Sequence, residues 1–120
     1  MEETPPEEPK KTSLGMDENL EGLLAYIAWW ITGIIFLVLE KESDFVRFHA
    51  MQSTITFIGI TVLQVILSFI PYIGGILAWL LGIVGFVLWI LGMVKAYQGE
   101  RYKFPIVGNL AEEWMGKVNV

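Results

Sequence analysis

Three apolar runs, residues 23–39, 50–70 and 73–94, contain no acidic or basic side chain. A bilayer's hydrocarbon core is about 30 Å thick, so a spanning helix needs roughly 20 apolar residues. Each run approaches that length. A soluble domain this small keeps much of its surface in water, and its helices would need polar faces. These runs have none. The sequence therefore specifies an all-α, polytopic membrane protein. Three transmembrane helices are expected, at about 23–39, 50–70 and 73–94.

The net charge of −5 describes a tail rather than a face. Up to Glu21 the chain carries seven acidic residues against Lys10 and Lys11, and the remainder is close to balanced. Residues 1–16 are rich in Glu, Pro and Lys. Such a segment cannot bury enough apolar surface to offset its ordering entropy, so a disordered acidic tail is expected, either a docking segment or a solvated spacer. The chain has no cysteine, which excludes disulfides and thiolate metal sites. The first 20 residues lack the apolar core of a cleavable signal peptide, so the first span is expected to act as an uncleaved insertion signal.

The three-helix domain is expected over residues 17–97. Asp17 is a suitable cap for the first helix. Trp29 and Trp30 fall near mid-span, where an indole N–H needs a partner, so at least one should face protein. The second helix should start early, with Ser43 or Asp44 as its N-cap. It carries Ser53, Thr61, Gln64 and Ser68 roughly along one stripe, as the wall of a polar path or as hydrogen-bonded glue between helices. Pro71 ends it. The short turn with Gly74 and Gly75 makes the second and third helices an antiparallel hairpin.

The third helix holds a packing seam. Gly75, Ala78, Gly82, Gly85, Trp89, Gly92 and Ala96 recur at spacings of three and four. Small residues let backbones approach in membranes, and the period implies a left-handed crossing. Trp89 should fill a recess opposite it. The other helices of the chain, or a second copy, are the expected partners. After the seam, residues 98–120 form a polar tail. An amphipathic helix is expected at about 105–117, with Ile106, Leu110 and Trp114 on one side. It would lie on the membrane surface or pack on the protein's own loops.

With three spans, the second side of the membrane holds Lys41, Arg47, Lys95, Arg101, Lys103 and Lys117. The positive-inside rule then places the C-terminus in the cytoplasm and the N-terminus outside, in a multi-pass cell-membrane protein.

No catalytic constellation, cofactor motif, metal-ligand spacing or nucleic-acid signature is visible. No charge lies inside a run, which argues against a pump or coupled transporter. The one candidate site is FVRFHAMQS, residues 45–53. There Arg47, His49 and Gln52 could meet a lipid phosphate or a partner's carboxylate. The alternative is that Arg47 snorkels while His49 and Gln52 pair locally.

That segment, with KAYQGERYKFPIVGNLAEEW at 95–114 and YIAWWITGIIFLVLEKES at 26–43, resembles small prokaryotic membrane proteins. They are grouped with the chloroplast inner-envelope import component, the twenty-kilodalton Tic subunit. The resemblance covers roughly residues 20–114. It implies a membrane location and, for the plastid member, a four-helix architecture and a part in a protein-import channel. The residues themselves favour a non-enzymatic scaffold or accessory subunit working through helix–helix contacts. Its partners would be the bilayer and another membrane protein or a second copy. An oligomeric pore or translocation component is the second reading, and an anionic-lipid-binding protein the third.

Overall fold

The computed structural model describes residues 10–117. The first nine residues, which hold most of the acidic tail, lie outside that range. Five helices follow one another, α1 (Glu18–Ile27), α2 (Trp30–Leu39), α3 (Asp44–Ser68), α4 (Gly74–Tyr97) and α5 (Val107–Met115).

The first apolar run departs from the expected single span. It is two ten-residue helices, α1 and α2, broken at Ala28 and Trp29. Each is about 15 Å long at 1.5 Å per residue, half of what a crossing requires. Trp29 takes φ 59° and reverses the chain. The two legs then run back beside each other. Their far ends meet: Ser43 Oγ donates to Glu18 Oε2 at 3.1 Å, and Ser13 N donates to Glu40 Oε2 at 3.2 Å. Among the described residues, only α3 and α4 are long and apolar enough to cross a membrane. Where three spans were expected, the structure has two long apolar helices and a short hairpin whose two outer ends lie together.

α3 begins where its cap demands. Ser43 Oγ accepts the N–H of Val46 at 3.2 Å, satisfying one of the orphan donors of the first turn. Phe69 N and Ile70 N bond back to Ile66 and Leu67, and Pro71 then closes the helix. The turn at 69–73 returns the chain as α4, antiparallel to α3.

Burial is concentrated at one end. Within α3, the buried residues run from Val46 to Phe57 and stop there. Beyond Phe57, α3 and α4 present Val62, Leu63, Ile66, Ile76, Leu80 and Phe86 outward. Only 11% of the most apolar window of α4 is buried inside the protein, so the bilayer is its solvent.

Residues 10–16, expected within the disordered tail, form a closed turn with Asp17. Lys11 bridges to Asp17, Thr12 N donates to Met16 O at 2.8 Å, and Gly15 sits at φ 82°. Helix α5 packs on α3 and turns the Ile106 and Trp114 side outward. Gly108 and Ala111 are buried, while Ile106 is 85% exposed and Trp114 faces outward. A side chain at Gly108 would run into Lys103, so the glycine lets the preceding segment lie close to α5.

Candidate functional site: a polar clamp around a broken helix

A break inside an apolar run strands backbone groups, and each one kept from water costs several kcal/mol. Here side chains from three helices take them. Thr32 Oγ1 accepts the N–H of Ala28 at 3.0 Å and donates to the carbonyl of Ala25 at 3.3 Å. Trp89 Nε1 donates to the carbonyl of Tyr26 at 2.8 Å. Ser53 Oγ donates to the carbonyl of Trp29 at 2.8 Å. Tight packing holds the legs in place. A side chain at Gly33 would meet Thr54 Oγ1 at 2.7 Å, and one at Gly92 would meet the Tyr26 ring at 2.6 Å.

Below the break lies a buried polar network built on α3. Tyr26, His49 and Gln52 are fully buried. Gln52 Nε2 donates to Tyr26 Oη at 2.9 Å, which leaves the phenol proton for His49 Nδ1 at 2.7 Å. With Nδ1 accepting, the neutral imidazole carries its hydrogen on Nε2 and donates it to the carbonyl of Glu100 at 2.8 Å. Gln52 also donates to the Tyr102 carbonyl at 2.9 Å and accepts the Phe104 N–H at 2.8 Å. Its amide acts as a piece of strand pairing that holds residues 100–104 against α3.

Arg47 is buried too. Its Nη1 donates to the carbonyls of Leu37 and Glu40, both at 2.8 Å. A cation at a helix C-terminus satisfies orphan carbonyls and suits the dipole. The trio proposed from the sequence for headgroup or partner contact is therefore turned inward: Arg47 caps α2, while His49 and Gln52 fasten the 100–104 segment.

The seam residues of α4 divide between two neighbours. A side chain at Gly82 would meet Gln64 at 3.1 Å and one at Gly85 would meet Ile60 at 3.3 Å, both on α3. Gly92 faces α1, as does Ala96, which a side chain at Gly22 would approach at 3.3 Å. Ala78 lends its carbonyl to Gln64 Nε2 at 3.1 Å. Gly75 has open space around it. Past the tip of the hairpin, α3 and α4 frame a cavity of about 620 Å³, lined by Trp29, Phe57, Ile60, Gln64, Phe86 and Trp89 among others.

Sequence reasoning missed the buried carboxyls Glu21 and Glu40 and the central place of Tyr26. The two acids lie at opposite ends of what reads as one span, and only the fold-back joins them. Tyr26 carried a usable signal, a phenol one turn inside an apolar run, but the run's edge explained it equally well. Among the described residues, no group of three or more His, Cys, Asp or Glu is placed to hold a metal ion.

Residues 12–111 match the model of the magnetosome magnetite crystal formation protein family. Two UPF0132 membrane proteins of Methanocaldococcus jannaschii are similar to the chain. One is 54% identical, covering 85% of this chain and 73% of its own length, and the other is 56% identical, covering 87% and 94%. A UPF0132 membrane protein of Archaeoglobus fulgidus is 54% identical over 86% of this chain and all of its own length. No solved structure matches. These matches establish a prokaryotic kinship and do not show the plastid one that the resemblance suggested. The chain is a membrane protein of the magnetosome magnetite crystal formation family.

Proposed function

We propose that this protein is a non-enzymatic scaffold of the cell membrane, with two spanning helices, one re-entrant hairpin and both termini in the cytoplasm. The observation that carries the scaffold reading is the closure of the polar network. Arg47, His49, Gln52, Tyr26, Ser53 and Trp89 all spend polar groups on the chain's own backbone or on one another. Such groups hold a shape. The surface left for partners is the apolar flank of α3 and α4.

Two spans also change the charge argument. All eight Lys and Arg residues of the chain belong to segments at the end away from the 69–73 turn, which has none. The positive-inside rule then favours a cytoplasmic position for both termini, in place of the outside N-terminus expected from three spans. The family description names magnetite crystal formation. A scaffold that organises membrane partners is compatible with that description without binding mineral ions itself.

The test is crosslinking in native membranes from photoreactive residues placed at Leu63, Leu80 and Trp114. Recovery of the same protein partner, or of a second copy, from the two α3–α4 positions supports the scaffold. Adducts with lipid alone at all three positions would overturn it.

A further inference from the structure

At the base of the hairpin, Glu21 of α1 and Glu40 at the end of α2 are both fully buried, and each reaches the 10–17 turn, Glu21 through Thr12 and Glu40 through Ser13. Glu21 Oε1 accepts the hydroxyl of Thr12 at 2.5 Å. Glu40 Oε2 accepts the N–H groups of Ser13, Glu42 and Ser43 at 3.2, 3.0 and 2.9 Å. The remaining oxygens, Glu21 Oε2 and Glu40 Oε1, are buried without a hydrogen-bond partner. Two buried carboxyls on one turn resist ionising together, and a proton held between them would satisfy both orphan oxygens.

We propose that Glu21 and Glu40 form a proton-binding latch: one shared proton ties the two legs of the hairpin to the 10–17 turn, and its release to water loosens all three. The environment says which acid holds the proton. Glu40 has three backbone donors, so it is the carboxylate. Burial favours its neutral form, but the bonds from Glu21, Ser43, Ser13 and Glu42 outweigh burial and hold it down to about 2. Glu21 has one hydroxyl partner. Burial, then the bond to Glu40, push it up to about 7.

The surrounding charges do not substitute for that proton. In the turn, Lys11 is paired with Asp17 at 2.6 Å. On α1, Glu18 is held by Ser43 Oγ. In the 40–43 loop, Lys41 and Glu42 are exposed, as is Asp44 at the start of α3. Arg47 of α3 meets the Glu40 carbonyl through Nη1. At the end of α4, Lys95 pairs with Glu100.

The sign follows from Glu21. Its affinity for the proton is higher in the closed latch than in an opened, solvated one, where the usual value near 4.5 applies. Closure is complete below 4.5 as far as Glu21 is concerned. It weakens as pH rises towards 7, and levels off once the closed form is also deprotonated. A membrane protein facing a near-neutral compartment would sit at the responsive end of that window.

The test is amide hydrogen exchange at Ser13, Glu42 and Ser43 in the full-length protein in lipid nanodiscs, corrected for intrinsic chemistry. Wild type should open by about tenfold more per pH unit from 4.5 to 7, then level off. Glu21→Gln keeps an oxygen for Thr12 and gains a permanent N–H for Glu40, so its exchange should be independent of pH over that window. The same slope in both proteins, or a flat wild type, would overturn the latch. Infrared absorption of a protonated carboxyl in the wild type, present at pH 5, lost at pH 9 and missing from Glu21→Gln, supports it without relying on the variant's fold. Absence of that band from the wild type at pH 5 would equally overturn the latch.

Discussion

Trp89 of α4 donates its indole N–H to the carbonyl of Tyr26, 63 residues earlier in the chain, at 2.8 Å. That bond joins the more apolar of the two long helices to the point where the first apolar run breaks. It gives the break a stabilising partner that no local feature of the run supplies.

The first prediction concerns that partner. Trp89→Phe keeps most of the ring and removes the donor, leaving the Tyr26 carbonyl with only the N–H of Trp29. Stability should fall by about 1–3 kcal/mol, read by thermal unfolding in a mild detergent. Ser53→Ala should cost a similar amount through the Trp29 carbonyl. If neither variant moves the unfolding midpoint, the run is a continuous helix.

A second prediction separates glycines that look alike in the sequence. Gly92→Ala would place a methyl 2.6 Å from the Tyr26 ring, whereas Gly75→Ala meets nothing within 4 Å. Overpacking of a tight contact costs about 1–3 kcal/mol. Alanine at an open helical site gains up to about 1 kcal/mol. The two variants should shift thermal stability in opposite directions.

The third prediction is topological. The chain lacks cysteine, so single cysteines report without background. Lys10→Cys and Lys117→Cys should react with an impermeant maleimide from the cytoplasmic face. Tyr72→Cys, at a residue 99% exposed in the 69–73 turn, should react from the other. Opposite labelling of the two terminal positions would require an odd number of crossings and would rule out the hairpin.

The fourth prediction addresses the Gln52 clamp. Gln52→Leu removes both bonds to the 100–104 segment and leaves the Phe104 N–H buried without its acceptor. Trypsin should then cut faster after Arg101 and Lys103 than in the wild type, by about tenfold for a loss near 1.4 kcal/mol. Unchanged cleavage would mean that His49 and α5 secure the segment without Gln52.

Much of the architecture is legible from local chemistry. Ser43 announces the start of α3, Pro71 its end, and the small-residue spacing of α4 follows from the need for close backbones. The hairpin is not legible in the same way. Its break contains neither proline nor glycine, and Trp29 at positive φ runs against ordinary preference. Besides Thr32 within the run, what holds it are Ser53 and Trp89, whose role appears only when distant segments meet. One warning was present in the sequence: at 17 residues the first run is the shortest of the three, with an acid close to each end. The inward turn of Arg47 was not legible either, since nothing local to the sequence says that a cation at the start of α3 reaches back to the carbonyls of Leu37 and Glu40 at the end of α2. The Glu21–Glu40 pair, separated by a whole apolar run, could not be read as a pair until that run folded back.

The hairpin also gives the molecule a taper. At the end that holds α1 and α2, four helices stand side by side, and toward the 69–73 turn only α3 and α4 continue. In the two-span arrangement proposed above, each copy displaces more lipid from one leaflet than from the other. A membrane crowded with aligned copies relieves that area mismatch by bending, with the four-helix leaflet on the convex side.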